Sequence, residues 1–127
     1  GQKIYTLSDI YPHADIVTYP SNLEGFGNAF LEAVYFSKPI VINTYSNYSI
    51  DIKPKGFSAI EIEGYVTDKA IRQTKKVVED KEFCKQIVEH NYKIARCYYS
   101  YSVLHQKLKI LMLEHMGCKN QKSGNKN

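Results

Sequence analysis

Two glutamates, Glu24 and Glu32, are separated by seven residues in the segment SNLEGFGNAFLEAV, residues 21–34, and two of those seven residues are glycines. A carboxylate has two oxygens that accept hydrogen bonds, which suits the neighbouring hydroxyl groups of a ribose or another sugar. Glycines permit positive backbone φ angles and let a ligand approach the main chain closely. The segment therefore predicts a site for a hydroxylated, anionic ligand, or else a turn whose acids face water.

The apolar pattern around this segment predicts how the acids are placed. The β-branched run DIVTYP predicts a strand that ends at Pro20, and residues 27–36 repeat apolar side chains at helical spacing. Ligands of open parallel sheets bind beyond the carboxyl ends of the strands. A helix that starts there, with Asn28 at the expected cap position, offers unpaired N–H groups and a partial positive charge. Such a helix start favours a phosphate group.

Two more strands are predicted after this helix. Ile40–Asn43, with the sequence IVIN, reads as a buried strand, and residues 57–64, FSAIEIEG, read as a third strand whose partly polar alternation places it at a sheet edge. Residues 44–56 between them are predicted to be a loop with few apolar anchors other than tyrosine, ordered by a ligand. Strands that alternate with helices in this way predict an α/β fold with a parallel sheet.

The C-terminal half predicts helices and no strand. Thr67 and Asp80 are expected to cap two helices, and Ser100 or Ser102 a third, whose stripe of Leu104, Leu108 and Leu111 we interpret as core. The fold class is therefore a partial Rossmann-like parallel sheet of about three strands, followed by C-terminal helices. Because such sheets usually have five or six strands, one sheet edge and one helix face are expected to expose apolar surface.

Composition limits the classes of function. The 127 residues suffice for one compact domain, no apolar run reaches the length of a membrane span, and the first residues do not form a signal peptide. The net charge of +4 includes three lysines in the last eleven residues, GCKNQKSGNKN, which contain no acid. The remainder carries +1, which disfavours nucleic acid as a partner. Residues 117–127 are predicted to be a disordered basic tail.

The three cysteines, Cys84, Cys97 and Cys118, are scattered and form no CxxC pair. This pattern disfavours a disulfide framework and a zinc site, and it suits reduced cysteines in the cytoplasm. The chain starts at Gly1 rather than at a methionine, which we interpret as a processed chain or a piece of a longer protein.

The run ADIVTYPSNLEGFGNAFLEAVYFSKPIVI resembles retaining glycosyltransferases of the GT-B fold, in the family that contains relatives of sucrose and glycogen synthases. Members share an aD…PS…EGFG…lEA…g.PvV signature that includes two glutamates separated by seven residues. The matching positions here are Ala14, Asp15, Pro20, Ser21, Glu24, Gly25, Phe26, Gly27, Leu31, Glu32, Ala33, Pro39 and Val41. The strong part of the resemblance extends from about residue 11 to residue 43. It implies that residues 1–116 are the C-terminal part of a GT-B glycosyltransferase.

The resemblance also implies roles for the residues of the signature. Glu24 would contact the hydroxyls of the donor sugar and stabilise charge near the reacting carbon, while Glu32 would hold the ribose. The backbone of Gly25, Phe26 and Gly27 would line the sugar pocket. The helix start at Asn28 and Ala29 would face the diphosphate. The donor would be a UDP- or GDP-linked sugar, no metal or other cofactor would be needed, and the configuration at the anomeric carbon would be retained.

The chain departs from the family pattern in two places, one after the second strand and one upstream of the signature. Where members place a Gly-Gly pair and a glutamate, this chain has Tyr45, Ser46 and Tyr48. The surrounding residues resemble enzymes that make phosphoglycerate-linked glucosides and mannosides. The arginine and lysine that neutralise the diphosphate in the family lie upstream of the matched region, as do the base pocket and the acceptor-binding N-terminal domain.

The sequence thus predicts the donor-binding part of a retaining hexosyltransferase that is inactive by itself. Its partners would be a nucleotide-sugar donor, an unidentified hydroxyl acceptor and the N-terminal domain of the same enzyme. The alternative is a non-catalytic α/β interaction module that binds through its helical face. A nucleic-acid binder that stacks bases on the tyrosines around residues 92–101 is a third hypothesis, which the low charge of the body disfavours.

Overall fold

The computed structural model describes residues 4–23 and 27–121, with side chains up to residue 113. One compact unit covers the chain up to Ala95, and a second begins at Arg96. The first unit contains a short helix α1 (Leu7–Ile10), a 3₁₀ turn (Tyr11–His13), three strands and two longer helices. Helix α4 (Lys81–Tyr99) begins in this unit, and α5 (Tyr101–Gln121) belongs to the second.

The three strands form a parallel sheet in the order β1 (Val17–Tyr19), β2 (Ile40–Asn43) and β3 (Ile60–Ile62). Ile40 and Ile42 are buried on one face of β2, while Val41 contacts the cluster beneath α3 on the other. Because both faces are covered, the strand is apolar at successive positions, as parallel strands usually are. The predicted parallel α/β sheet is confirmed, although β3 is shorter than predicted. In the described part of the chain, β3 lies at an edge, as its mixed polarity indicated.

Helices α3 (Asp68–Glu79) and α4 start where the sequence predicts. The hydroxyl of Thr67 accepts a hydrogen bond from the Ala70 amide at 3.2 Å, and the Asp80 carboxylate accepts one from the Phe83 amide at 2.9 Å. These bonds satisfy N–H groups that have no partner within the helix. The buried residues Ala70 and Val77 then bring α3 against Ile60 of the sheet, so the N-caps help to set which helix face reaches the core.

The segment predicted as a loop, residues 44–56, is largely helical, so that prediction is wrong. Tyr48–Ile52 forms one turn of π-helix and Lys53–Lys55 a 3₁₀ turn. Tyr45, Tyr48 and Ile52 are buried, and the Tyr48 ring lies 6.0 Å from the Phe30 ring of helix α2 (Asn28–Tyr35). The tyrosines of this segment, which were expected to anchor it only weakly, bury the apolar area that orders it.

The leucine stripe of the last helix is also different from the prediction. Leu104, Leu108 and Leu111 of α5 are each more than half exposed, so they are not core residues of this chain. Ser100 caps the helix with a bond of 3.5 Å from the Val103 amide. The helix includes residues 117–121, which were predicted as tail, and residues 122–127 lie outside the described residues. No helix in the described part of the chain is long and apolar enough to cross a membrane.

A buried amide that the sequence did not single out joins α4 to the segment before β3. Asn91 is 1% exposed; its Nδ2 donates to the Ser58 carbonyl at 2.8 Å, and its Oδ1 accepts from the Ser58 amide at 2.7 Å. The Asn91 side chain thus pairs with the Ser58 backbone as a neighbouring strand would. Since buried polar groups are costly without partners, this contact should contribute strongly to stability.

We expect Asn91→Ala to lower the free energy of unfolding by about 2–4 kcal/mol, because both polar groups of Ser58 lose a buried partner. Asn91→Asp keeps an acceptor but loses the donor and buries a charge, so it should destabilise at least as much. Urea unfolding followed by circular dichroism measures both variants. Gln86→Ala, at an exposed position of α4, is the matched control and should change stability by less than about 0.5 kcal/mol. Equal stability of Asn91→Ala and this control would contradict the assignment.

Candidate functional site at the carboxyl end of the sheet

The carboxyl ends of the three parallel strands bring three connecting segments together around one buried side chain. Asn43, the last residue of β2, is 5% exposed. Its Nδ2 donates to Asn22 Oδ1 at 2.5 Å and lies 3.4 Å from the Ser21 carbonyl, both after β1. Its Oδ1 accepts from the Gly64 amide at 2.9 Å, after β3. One amide therefore fixes the segment before α2 relative to the turn before α3.

Helix α2 begins from an unusual backbone conformation at Gly27. This residue is the N-cap, with φ 84° and ψ 40°, so the expectation that Asn28 caps the helix is wrong. The left-handed conformation is open to glycine but costs other residues about 1–2 kcal/mol. Gly27 has no side-chain acceptor, and its carbonyl instead accepts from the Phe30 amide at 3.0 Å. Asn28 and Ala29 are thus the first two helical residues, at the carboxyl end of the sheet.

The residues after β2 close over Gly27 from one side. A Cβ atom at Gly27 would lie 2.7 Å from the Tyr45 hydroxyl, which is a clash, and 3.1 Å from Ile52 Cδ1, which is a tight contact. Tyr45 itself is 3% exposed and packs between the rings of Tyr19 and Tyr48, at 6.5 and 6.1 Å. Two independent features therefore favour glycine at position 27, the backbone conformation and the tyrosine hydroxyl above it.

A charged network holds this segment to β3. The Tyr48 hydroxyl donates to Glu61 Oε1 at 2.9 Å, and the Lys53 ammonium lies 2.7 Å from Glu61 Oε2. Burial, followed by the Glu61 carboxylate, raises the pKa of Tyr48 above its usual range, so the phenol remains a donor. The bond to Glu61 raises the pKa of the exposed Lys53. Lys55 is held too, by the Asp51 carbonyl. Both lysines are therefore engaged within this segment and β3.

Glu32, the second acid of the motif, is partly buried on α2, one turn beyond the helix start. Its Oε2 lies 3.4 Å from the hydroxyl of Tyr11, which belongs to the turn before β1. Glu32 thus projects from the same helix whose first turn contains Asn28 and Ala29. The other predicted site residues, Glu24, Gly25 and Phe26, lie outside the described residues, so their roles stay predictions.

Two contributors to this site, Asn43 and Tyr11, were missed by the sequence analysis. Asn43 had a weak signal, because a polar residue at the carboxyl end of a buried strand faces the region where ligands bind. Tyr11 had none, since its contact with Glu32 joins residues far apart in the sequence. Among the described residues, no group of three histidine, cysteine or acidic side chains is arranged to hold a metal ion.

A separate concavity of about 450 Å³ lies at the other end of the sheet. Its lining includes Pro39 and Ala59, which precede β2 and β3, together with Val77 and Phe83. The Lys76 ammonium lies 4.0 Å from the centre of the Phe83 ring, a cation–π contact at the rim. None of its lining residues belongs to the motif, so this concavity does not mark the predicted site.

Comparison with known proteins gives one family and two relatives. The sequence pattern of the family described as "Glycosyl transferases group 1" matches residues 2–94. A mannosylglucosylglycerate synthase of Thermotoga maritima is 32% identical over 104 residues, which cover 72% of this chain. A protein of the same name from Petrotoga mobilis is 46% identical over 61 residues, or 48% of this chain. The matches thus agree with the resemblance that the signature predicted.

The matched regions cover 24% of the Thermotoga protein and 14% of the Petrotoga protein. The chain therefore spans about a quarter or less of the length of these curated relatives. No solved structure matches the chain.

The contact between Gly27 and Tyr45 gives a prediction with an internal control. Gly27→Ala should destabilise the fold through both its φ of 84° and the clash with the tyrosine hydroxyl. Gly64→Ala adds a methyl group at φ 77° where no atom lies within 4 Å. It should lower the free energy of unfolding only through its strained backbone conformation, by about 1–2 kcal/mol.

Tyr45→Phe removes the atom that clashes, since the nearest remaining ring atom is 3.9 Å from the added methyl group. Introduced into the Gly27→Ala variant, it should therefore recover part of the lost stability. Urea unfolding of these three variants and the parent protein measures these differences. A Gly27→Ala variant no less stable than Gly64→Ala would refute the close approach of Tyr45.

Proposed function

Because this chain belongs to the group 1 glycosyl transferases, we propose that it forms the donor-binding part of a retaining glycosyltransferase. The observation that carries the proposal is the position of α2, which contains Glu32. This helix follows β1 and begins at the carboxyl end of a parallel sheet, where open α/β folds bind their ligands.

The diphosphate of the donor would lie at the start of α2. The first N–H groups of a helix lack partners within the helix and carry a partial positive charge. Gly27 leaves this end without a side-chain cap, and the amides of Asn28 and Ala29 would donate to phosphate oxygens. Gly27, with Gly25 and Phe26 before it, would line the sugar pocket through its backbone. The missing side chain at position 27 would let the sugar approach the main chain.

The two glutamates would divide the recognition of the donor. Glu32 projects one turn beyond the diphosphate site and would accept hydrogen bonds from the two ribose hydroxyls. Glu24 would contact the sugar and stabilise the positive charge that develops at the anomeric carbon, because a nearby anion favours an oxocarbenium-like transition state. The sugar would leave the diphosphate and join the acceptor hydroxyl with retained configuration. Protein groups, without a metal or other cofactor, would offset the charge of the leaving diphosphate.

The names of the two relatives suggest the class of substrates. A nucleotide-activated mannose, linked to UDP or GDP, would be the donor, and a small glucosylglycerate-type acid would be the acceptor. Both are charged, water-soluble compounds, which agrees with a cytoplasmic enzyme. The acceptor and the basic pair that neutralises the diphosphate would be bound by the N-terminal part of the same enzyme.

By itself, this chain would transfer no sugar. Holding donor and acceptor together in one cleft can contribute roughly 7–11 kcal/mol to catalysis, and a single domain without an acceptor site cannot supply it. A helix N-terminus contributes only about 0.3–2 kcal/mol toward an anion. We therefore expect weak donor binding and no turnover from residues 1–127 alone.

A second candidate function, an interaction module that binds through a helical face, is favoured by one observation. The leucine stripe of α5 is exposed, as a partner-binding face would be. In that case the glutamates would be surface groups near a helix start, and changing them would have no effect on sugar transfer.

The division of roles between the glutamates can be tested in the full-length enzyme. Glu32→Ala should raise KM for the nucleotide sugar about tenfold to a hundredfold with little change in kcat, because a ribose contact exists in both the ground and transition states. Glu24→Ala should instead lower kcat, on the order of a hundredfold, because its contact strengthens as charge develops.

Steady-state kinetics with UDP- and GDP-mannose as donors measures both effects. Glu63→Ala, which changes an exposed acid after β3 at the same end of the sheet, is the control and should leave both constants unchanged. If Glu24→Ala and Glu32→Ala alter kcat and KM alike, the two glutamates do not have separate roles. If neither variant differs from the control, the interaction module is favoured instead.

A further inference from the structure

Tyr11 is fixed by its surroundings before its hydroxyl reaches Glu32. The residue is 9% exposed, and its ring stacks on Phe36 with centroids 4.6 Å apart and planes 6° from parallel. The turn that contains it is held from a second direction, because the Lys38 ammonium donates to the Pro12 carbonyl at 3.2 Å. A stacked ring in an anchored turn has little freedom, so the position of its hydroxyl is set by the fold.

The hydroxyl lies 3.4 Å from Oε2 of Glu32, and this contact connects the turn before β1 with the middle of α2. It engages Oε2, and because a carboxylate has about four lone-pair sites, Glu32 can still accept hydrogen bonds from another donor. Burial, and next the charge of Glu32, raise the pKa of Tyr11, so the phenol stays protonated and donates at physiological pH. A neutral donor orients the carboxylate without removing its negative charge.

We propose that Tyr11 is a positioning residue that holds the Glu32 carboxylate in the orientation that binds the ribose hydroxyls of the nucleotide-sugar donor. The inference rests on the proposed role of Glu32. A glutamate side chain has three rotatable bonds and, on a helix surface, samples several rotamers. The tyrosine hydroxyl selects among them before the donor arrives, so less conformational freedom is lost on binding.

The length of the contact sets the size of the expected effect. At 3.4 Å the bond is longer than the usual 2.7–2.8 Å between oxygens, so its loss should have a modest consequence. Removing the hydroxyl should raise KM for the nucleotide sugar about three- to tenfold. The value of kcat should stay within about twofold, because the ribose contact is made before and during the reaction.

The test uses Tyr11→Phe in the full-length enzyme, since phenylalanine keeps the ring that stacks on Phe36. Besides kinetics, calorimetry measures the binding of UDP and GDP and of their 2′-deoxy analogues. The parent enzyme should prefer the ribonucleotide, and Tyr11→Phe should reduce that preference about three- to tenfold. Loss of packing alone would weaken both nucleotides equally. Tyr35→Phe is the control. Tyr35 is an exposed tyrosine at the end of α2, and its ring also contacts Phe36.

Glu32→Ala separates this inference from the proposed function. If it abolishes the preference for ribose and Tyr11→Phe has no further effect in that background, the inference is supported. If Glu32→Ala abolishes the preference but Tyr11→Phe alone leaves it unchanged, Tyr11 does not position Glu32 and the proposed function stands. If Glu32→Ala leaves the preference unchanged, the proposed role of Glu32 and the inference both fail.

Discussion

The bonds of Asn43 are the constraint on which the geometry of the candidate site depends. Parallel strands place their carboxyl ends at the same end of the sheet, but the segments that follow them are separate pieces of chain. Asn43 joins these segments through Ser21 and Asn22 on one side and Gly64 on the other, with its amide donating and its carbonyl accepting. Since the side chain is buried, water cannot replace these bonds, and any loss would leave polar groups unpaired. The start of α2 is therefore tied to the sheet end.

Tyrosine is used repeatedly in this unit where a hydroxyl must reach a polar group from an apolar environment. Tyr11 and Tyr48 each bury a ring against phenylalanine and donate to a carboxylate, Glu32 and Glu61 respectively. In both cases burial raises the pKa of the phenol, which keeps it a donor. The Tyr45 ring packs against the Tyr48 ring, and the Tyr45 hydroxyl limits the space above Gly27. The polar atoms of the site are therefore oriented by side chains that also form the core.

The parts of the fold that depend on local pattern were predictable. Buried strands such as Ile40–Asn43 and caps such as Thr67 and Asp80 are defined by neighbouring residues, and the structure confirms them. The strand that precedes the glutamate motif and the helix that contains Glu32 were predictable for the same reason. The cap at α2 was mistaken, because Asn28 has the usual capping side chain while Gly27 has the conformation that the turn requires.

What the sequence did not reveal depends on contacts between distant residues. The helical turns at residues 48–55 form because Tyr48 packs on Phe30 and bonds to Glu61, neither of which is near in the chain. Asn43 and Asn91 look like ordinary polar residues until their buried partners are known. The stripe of α5 has a pattern typical of a core face, yet its leucines are exposed in this chain. Periodicity shows which face is apolar but not what covers it.

The central proposal is that the nucleoside diphosphate of the donor binds with its phosphates at the start of α2 and its ribose at Glu32. A crystal structure of the full-length enzyme with bound UDP or GDP tests it most directly. The account predicts phosphate oxygens within hydrogen-bond distance of the Asn28 and Ala29 amides, and the ribose hydroxyls at the Glu32 carboxylate. A diphosphate bound away from α2, for example in the concavity beside Lys76 and Phe83, with Glu32 making no contact to the nucleotide, would contradict it.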